Sequence, residues 1–180
     1  MNTPIAPVLA ARDMALADAE QAVLRDGMSP RRAVHALLDA GFVAAALRLA
    51  VRLMPRGYVV PWLCQCVRSA VDDERELAGI AVAEAWMRER DEPRRRDALA
   101  HAMARDFNGV GALVAASAAW AEGRMLDGEG QPIGPVPVAL MARTASAALL
   151  LIAAAADDFD ARCRAYASAA LDLLPLEETA

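Results

Sequence analysis

"WLCQCVRSA", residues 62–70, brings two cysteines within one residue of each other, and its secondary structure decides what those thiols are for. On an extended strand, residues two apart share a face, and Cys64 and Cys66 could reach one metal ion. In a helix, each residue turns by about 100°, so the pair points about 200° apart and cannot hold the same ion. Val60, Leu63, Cys64, Val67 and Val71 repeat with helical spacing. Pro61 fits the first turn of a helix over about Val59 to Val71. The reading is therefore helix. Cys64 falls on the core face, and Cys66 lies on the neighbouring face with Trp62 and Ser69. A zinc site would need a second ligand pair, and Cys163 stands alone far along the chain. The thiols are read as packing groups, and neither a metal nor a cofactor is expected.

Outward from this segment the punctuation is helical throughout. A first helix is expected from Pro7 to Arg25, stopped by Gly27. Ser29-Pro30 provides an N-cap and a proline at the first helical position of a second, which Gly41 ends. Phe42 to Met54 carries one apolar face, with Arg48 and Arg52 opposite it. Asp73 with Glu76 reads as a capping box opening a fifth helix to Arg90. Asp91-Glu92-Pro93 starts a sixth, which ends near Asn108-Gly109, and a seventh covers Val110 to Glu122. Residues 123–137, rich in Gly and Pro, read as one long irregular loop. Helices over Val138 to Ala155 and Phe159 to Leu174 follow, the last capped by Asp158. The ends, 1–6 and 176–180, are expected to fray.

Composition agrees. Apolar residues are 57% of the chain but aromatics only 4%, so the core must be built from Ala, Leu, Val and Met. Alanine is the best helix former. "AVAEAWMRER" (81–90) and "AASAAWAEGR" (115–124) echo each other at a tetratricopeptide-like offset. The other consensus residues are missing, and such echoes arise by chance in an alanine-rich chain. The expected fold is all-α: a single-domain bundle of about eight to nine antiparallel helices over residues 1–180.

Charge narrows the partners. All 19 basic side chains are arginine and the net charge is −5, which argues against nucleic acid or an anionic membrane. The most apolar segment, Thr144 to Ala156, has 13 uncharged residues, short of the ~20 a spanning helix needs. With no basic, apolar start of the secretory kind and an odd cysteine count, a cytoplasmic location is expected.

The remaining polar residues form no catalytic constellation. His35 lies between Arg31 and Asp39, and His101 between Asp97 and Arg105, each triplet at four-residue spacing. These read as exposed stripes opposite apolar sides such as Leu99, Ala102 and Met103. The carboxylates at 72–76 and 157–160 sit at helix starts, where the dipole favours them. Two segments invite a partner. One is the charged run "RERDEPRRR" (88–96), with Arg94, Arg95 and Arg96. The other is the apolar group Trp120, Met125, Leu126 and Ile133 in and beside the long loop, which either folds back or forms an exposed patch.

Finally, "MPRGYVVPWLCQCVRS" (54–69), "SAAWAEGRM" (117–125), the loop from Pro132 to Pro137 and the alanine-rich helix after it carry a resemblance. From Met54 onward the chain resembles an uncharacterised family of small helical bacterial proteins found in or beside type VI secretion loci. Pro61 stands where that pattern has a second aromatic residue. The resemblance implies a non-enzymatic accessory or interaction protein, with no catalytic residues to carry over. A helical protein–protein interaction module is thus expected, with self-association left open. A bundle binding a small apolar ligand or lipid is the alternative, suggested by the apolar faces and eight methionines.

Overall fold

The computed structural model describes residues 5–127 and 129–175. The ends expected to fray lie outside the described residues, apart from Ile5 and Ala6. The fold is all-α, with ten helices and one two-stranded hairpin among the described residues. Packing divides it into two units, one up to Tyr58 together with the chain from Ala153 onward, the other Val59–Ile152.

The first unit contains α1 (Pro7–Asp13), α2 (Asp18–Gln21), α3 (Pro30–Asp39), α4 (Val43–Leu53) and α10 (Phe159–Leu171). The centre is α4, which packs against α1, α3 and α10. Val43, Ala45, Ala46, Leu47, Leu49, Ala50, Val51 and Leu53 are all buried, so the helix is apolar almost all round, as a central helix must be. Arg48 and Arg52, opposite the expected apolar face, are half-buried and reach α1. Arg48 donates to the carbonyls of Met14 and Ala15, and Arg52 donates through Nε and Nη2 to Asp13 at 3.0 and 2.7 Å.

That grip explains why the long first helix is broken in two. Ala15 takes a left-handed φ of 50°, ending α1 and allowing both Met14 and Leu16 to be buried. No glycine marks the stop. The tertiary bonds to α4 offset the roughly 1–2 kcal/mol cost of the left-handed alanine. At the other end of the unit, Arg31 and Arg164 donate to the carbonyls of Leu174 and Leu38. Asp158 caps α10 by accepting from the Ala161 amide at 2.8 Å, as the sequence indicated.

The second unit contains α5 (Arg56–Arg68), α6 (Glu74–Arg88), α7 (Glu92–Met103), α8 (Val110–Ala119), β1 (Arg124–Leu126), β2 (Pro132–Pro135) and α9 (Leu140–Ala154), α5 and α9 each reaching slightly beyond it. Two boundaries correct the sequence reading. Helix α5 starts earlier, at Arg56, so Pro61 lies inside it rather than in its first turn. The "irregular" loop is an antiparallel hairpin: Arg124 pairs with Pro135, Met125 with Gly134 and Leu126 with Pro132. Asp127 builds its turn by accepting from the amides of Glu129 and Gln131 at 2.9 and 2.8 Å. Strands of three and four residues containing two prolines gave no alternating pattern, but a two-stranded ribbon tolerates proline on its free edges.

Helices α6, α7 and α8 pack on one another. Helix α8 is the innermost: Gly111, Ala112 and Val114 to Ala119 are buried. Where it meets α6 the two backbones touch. A Cβ placed on Gly79 would lie 2.1 Å from the Gly111 carbonyl oxygen, and one on Gly111 would lie 2.3 Å from that of Glu76. The 34-residue echo is not a structural repeat, because α6 is followed directly by α7, whereas α8 is followed by the hairpin.

Substituting Gly79 by valine must push α6 and α8 apart. It is expected to destabilise the fold by about 3 kcal/mol or more, seen as a lower midpoint in urea unfolding monitored by circular dichroism.

Candidate functional site

The connection between α7 and α8 is the most strained backbone among the described residues. Asp106 and Phe107 take φ of 51° and 55°, followed by Gly109 at 96°. Gly109 adopts this region freely, but each side-chain-bearing residue costs roughly 1–2 kcal/mol. The Phe107 amide turns back to the Ala102 carbonyl at 2.9 Å, closing α7 and presenting the Phe107 ring. That ring stacks on Trp120, with centroids 5.5 Å apart and planes 18° apart. Trp120 also packs against the buried alanines 102, 115 and 116. Phe107 remains 37% exposed and Met103, one turn back, 50%. The result is an apolar surface of Met103, Phe107 and half-buried Trp120.

Glu76 holds this turn. The Asp73 half of the expected capping box is present, with Oδ1 accepting from the amides of Arg75 and Glu76 at 2.9 and 3.1 Å. The Glu76 carboxylate does not complete the box. One oxygen accepts from Arg105 at 3.0 Å, and the other accepts from the Gly111 amide in the first turn of α8. A carboxylate there is favoured by the helix dipole. Charge-assisted bonds contribute about 1.5–3 kcal/mol each, enough to offset two left-handed residues at roughly 1–2 kcal/mol each. Gly109 lies so close that a Cβ would sit 2.6 Å from the Glu76 Oε1 atom.

His101 belongs to this corner rather than to an exposed stripe. Its Nε2 atom is buried without a hydrogen bond, as is the Arg105 Nε atom. Burial, then the Arg105 charge, push its pKa below the ordinary 6.5, opposed by Glu76. His35, by contrast, is exposed, as read. Met103 is a correction, having been assigned to the apolar side yet standing half exposed.

The arginine corner is spent internally. Arg95 is 3% exposed, so it is not a surface docking residue. It donates to Glu92 through Nε and Nη2, both at 2.7 Å, and through Nη1 to the Ala119 carbonyl at 3.1 Å. Arg96 shares Glu92 at 3.0 Å. Arg94 lies between Glu89 at 3.2 Å and Asp97 at 3.8 Å, while Arg90 pairs with Glu122 and covers the Trp86 ring. The positive run is thus matched by acids on its own surface.

In the hairpin, Met125 and Leu126 are half-buried and Ile133 is 65% exposed. Ile133 is the unpaired residue of the β2 bulge, which turns it outward.

The thiols follow the helix. Cys64 is buried and Cys66 half-buried on α5, and burial raises their pKa to about 12 and about 11. Cys163, buried in α10, is raised to about 11. Such thiols are protonated near neutral pH and poor nucleophiles. Among the described residues, no three His, Cys, Asp or Glu side chains gather as a metal-binding group. No helix among them is long and apolar enough to cross a membrane.

Sequence reasoning missed Phe107 and gave Met103 and Glu76 other roles, the apolar side of α7 and a capping box. Asn108-Gly109 marked a helix stop, but nothing in one sequence announces that the residues before it adopt left-handed backbone.

Two measurements check the charge assignments. Arg95→Ala is expected to cost ~2 kcal/mol in urea unfolding, because it strands the Ala119 carbonyl, while Arg96→Ala stays within ~0.5 kcal/mol. The Glu92 pKa is lowered from 4.5 to about 2, first by its Arg95 hydrogen bond and then, against burial, by that from Arg96. Its stabilising contribution is therefore complete above pH 4.5 and lost as pH falls through about 2. Thermal melting from pH 5 to pH 2 should fall less steeply for Glu92→Gln than for the wild type.

No curated protein and no solved structure matches the chain. A family model does, over residues 33–174, from within α3 to just beyond α10. The chain belongs to DUF6931, a family of unknown function.

Proposed function

We propose that this chain is a non-enzymatic, cytoplasmic protein–protein interaction module that docks a partner through the surface of Met103, Phe107 and Trp120. The observation that carries this reading is the stacked Phe107–Trp120 pair, held half exposed on a backbone turn that is costly to form. Strain retained beside an exposed apolar surface is more readily explained by use than by packing. Aromatic side chains are also the commonest anchors at interfaces. Exposed Ile133 on the hairpin bulge offers a second apolar contact. The arginine corner is a weaker candidate, since its cations are already paired.

The resemblance to helical proteins of type VI secretion loci supports placing the partner among the components of such a system. Affinity capture at near-native abundance tests both levels of the reading. The expected result is a protein partner retained by Arg94→Ala/Arg96→Ala and lost by Met103→Gln/Phe107→Ser, with the helical content of both variants unchanged. A partner unrelated to secretion would remove the accessory role alone. Capture that survives the aromatic substitution, or no partner at all, would remove the docking surface.

A further inference from the structure

We propose that Glu76 is the positioning residue of the aromatic surface, a latch that keeps Phe107 stacked on Trp120 without touching either ring's docking face. Its two carboxylate oxygens bind residues on either side of the strained turn: Arg105 before it and the Gly111 amide after it. Between those two points lie Asp106 and Phe107 in left-handed backbone, and Gly109. Glu76 thus closes the turn as a staple closes a loop, from a different helix. The carboxylate is only 20% exposed and Arg105 28%, so solvent screens this pair less than a surface ion pair.

The backbone bonds of the turn are local: the Asp106, Phe107 and Asn108 amides donate to the carbonyls of Met103, Ala102 and Arg105 at 2.9, 2.9 and 2.8 Å, whereas Glu76 reaches it from another helix. Arg105 Nε and His101 Nε2 are buried without hydrogen bonds, so neither supplies a second tie across the turn. With the Glu76 carboxylate replaced, the left-handed residues lose their tie to α6 and with it part of what offsets their cost. The turn then relaxes to an ordinary helix end and the Phe107 ring leaves Trp120. The surface is therefore switchable through a residue that lies outside it. The inference deepens the docking reading and rests on it for its purpose, but the conformational claim is measured on the isolated protein and stands or falls separately.

The test is ¹⁹F NMR of protein labelled with 5-fluorotryptophan, which reports Trp62, Trp86 and Trp120 as three resonances. Trp120→Phe assigns the relevant one, and Phe107→Leu gives its position without the stacked ring. Glu76→Gln is expected to move the Trp120 resonance at least half of the way to the Phe107→Leu position, leaving Trp62 and Trp86 in place. Adding Asp106→Gly, which removes the cost of one left-handed residue, is expected to bring it back. If Glu76→Gln does not fold, Arg105→Gln replaces it, with a smaller shift in the same direction expected. An unmoved Trp120 resonance, a shift shared by all three tryptophans, or a shift that Asp106→Gly fails to reverse would overturn the latch.

Discussion

The second unit depends on the contact between the α6 and α8 backbones at Gly79 and Gly111. Neither position has room for a side-chain carbon. Main chains can approach this closely only where both helices present glycine, and the alanines at 112, 115, 116, 118 and 119 keep much of α8 slim. The consequence reaches beyond packing. Glu76 lies one helical turn before Gly79, so the same approach brings its backbone against Gly111 and its carboxylate onto the Gly111 amide. A steric fact about two glycines thereby becomes an electrostatic fact about the start of α8, and then a conformational fact about the turn before it.

Arginine does related work elsewhere. Arg31, Arg48, Arg95 and Arg164 each donate to a main-chain carbonyl, those of Leu174, Met14, Ala119 and Leu38 in turn. Several of these carbonyls lie at helix ends, where the last turn leaves acceptors unsatisfied. A planar guanidinium with several fixed donors can serve such an acceptor and a carboxylate together, as Arg95 does with Ala119 and Glu92. A chain whose only strong cation is arginine can close helix ends without glycine or asparagine at each of them. In the charged run around 88–96 only Arg95 works in this way, while Arg90, Arg94 and Arg96 pair with carboxylates of the same surface.

The surface also carries large apolar side chains. Most large apolar side chains are inside; those exposed among the described residues are Leu9, Tyr58, Val138, Leu151 and Phe159, together with Ile133 on the hairpin bulge and Met103 and Phe107 at the α7–α8 corner. Membership of a family of unknown function leaves the chemistry of these surfaces as the guide to their use. The corner differs from the bulge in being strained, stacked and held from a distance, and those three properties belong together.

The sequence by itself determined the helical class, most helix boundaries and the fate of the cysteines. These follow from local causes: 3.6-residue spacing, Ser29, Asp91 and Asp158 as caps, and proline and glycine punctuation. Period-based reading even separated Cys64 from Cys66 correctly, because rotation along a helix needs no tertiary information. Only the tertiary structure decided the rest. The break at Ala15 depends on Arg48 and Arg52 reaching from α4; the hairpin depends on strands too short and too rich in proline to show a pattern. Arg95 is buried because Ala119 needs a donor. Phe107 is exposed because Glu76, 31 positions earlier in the chain, makes a left-handed turn affordable. Each of these is set by a partner distant in sequence, and no local rule carries that partner's address.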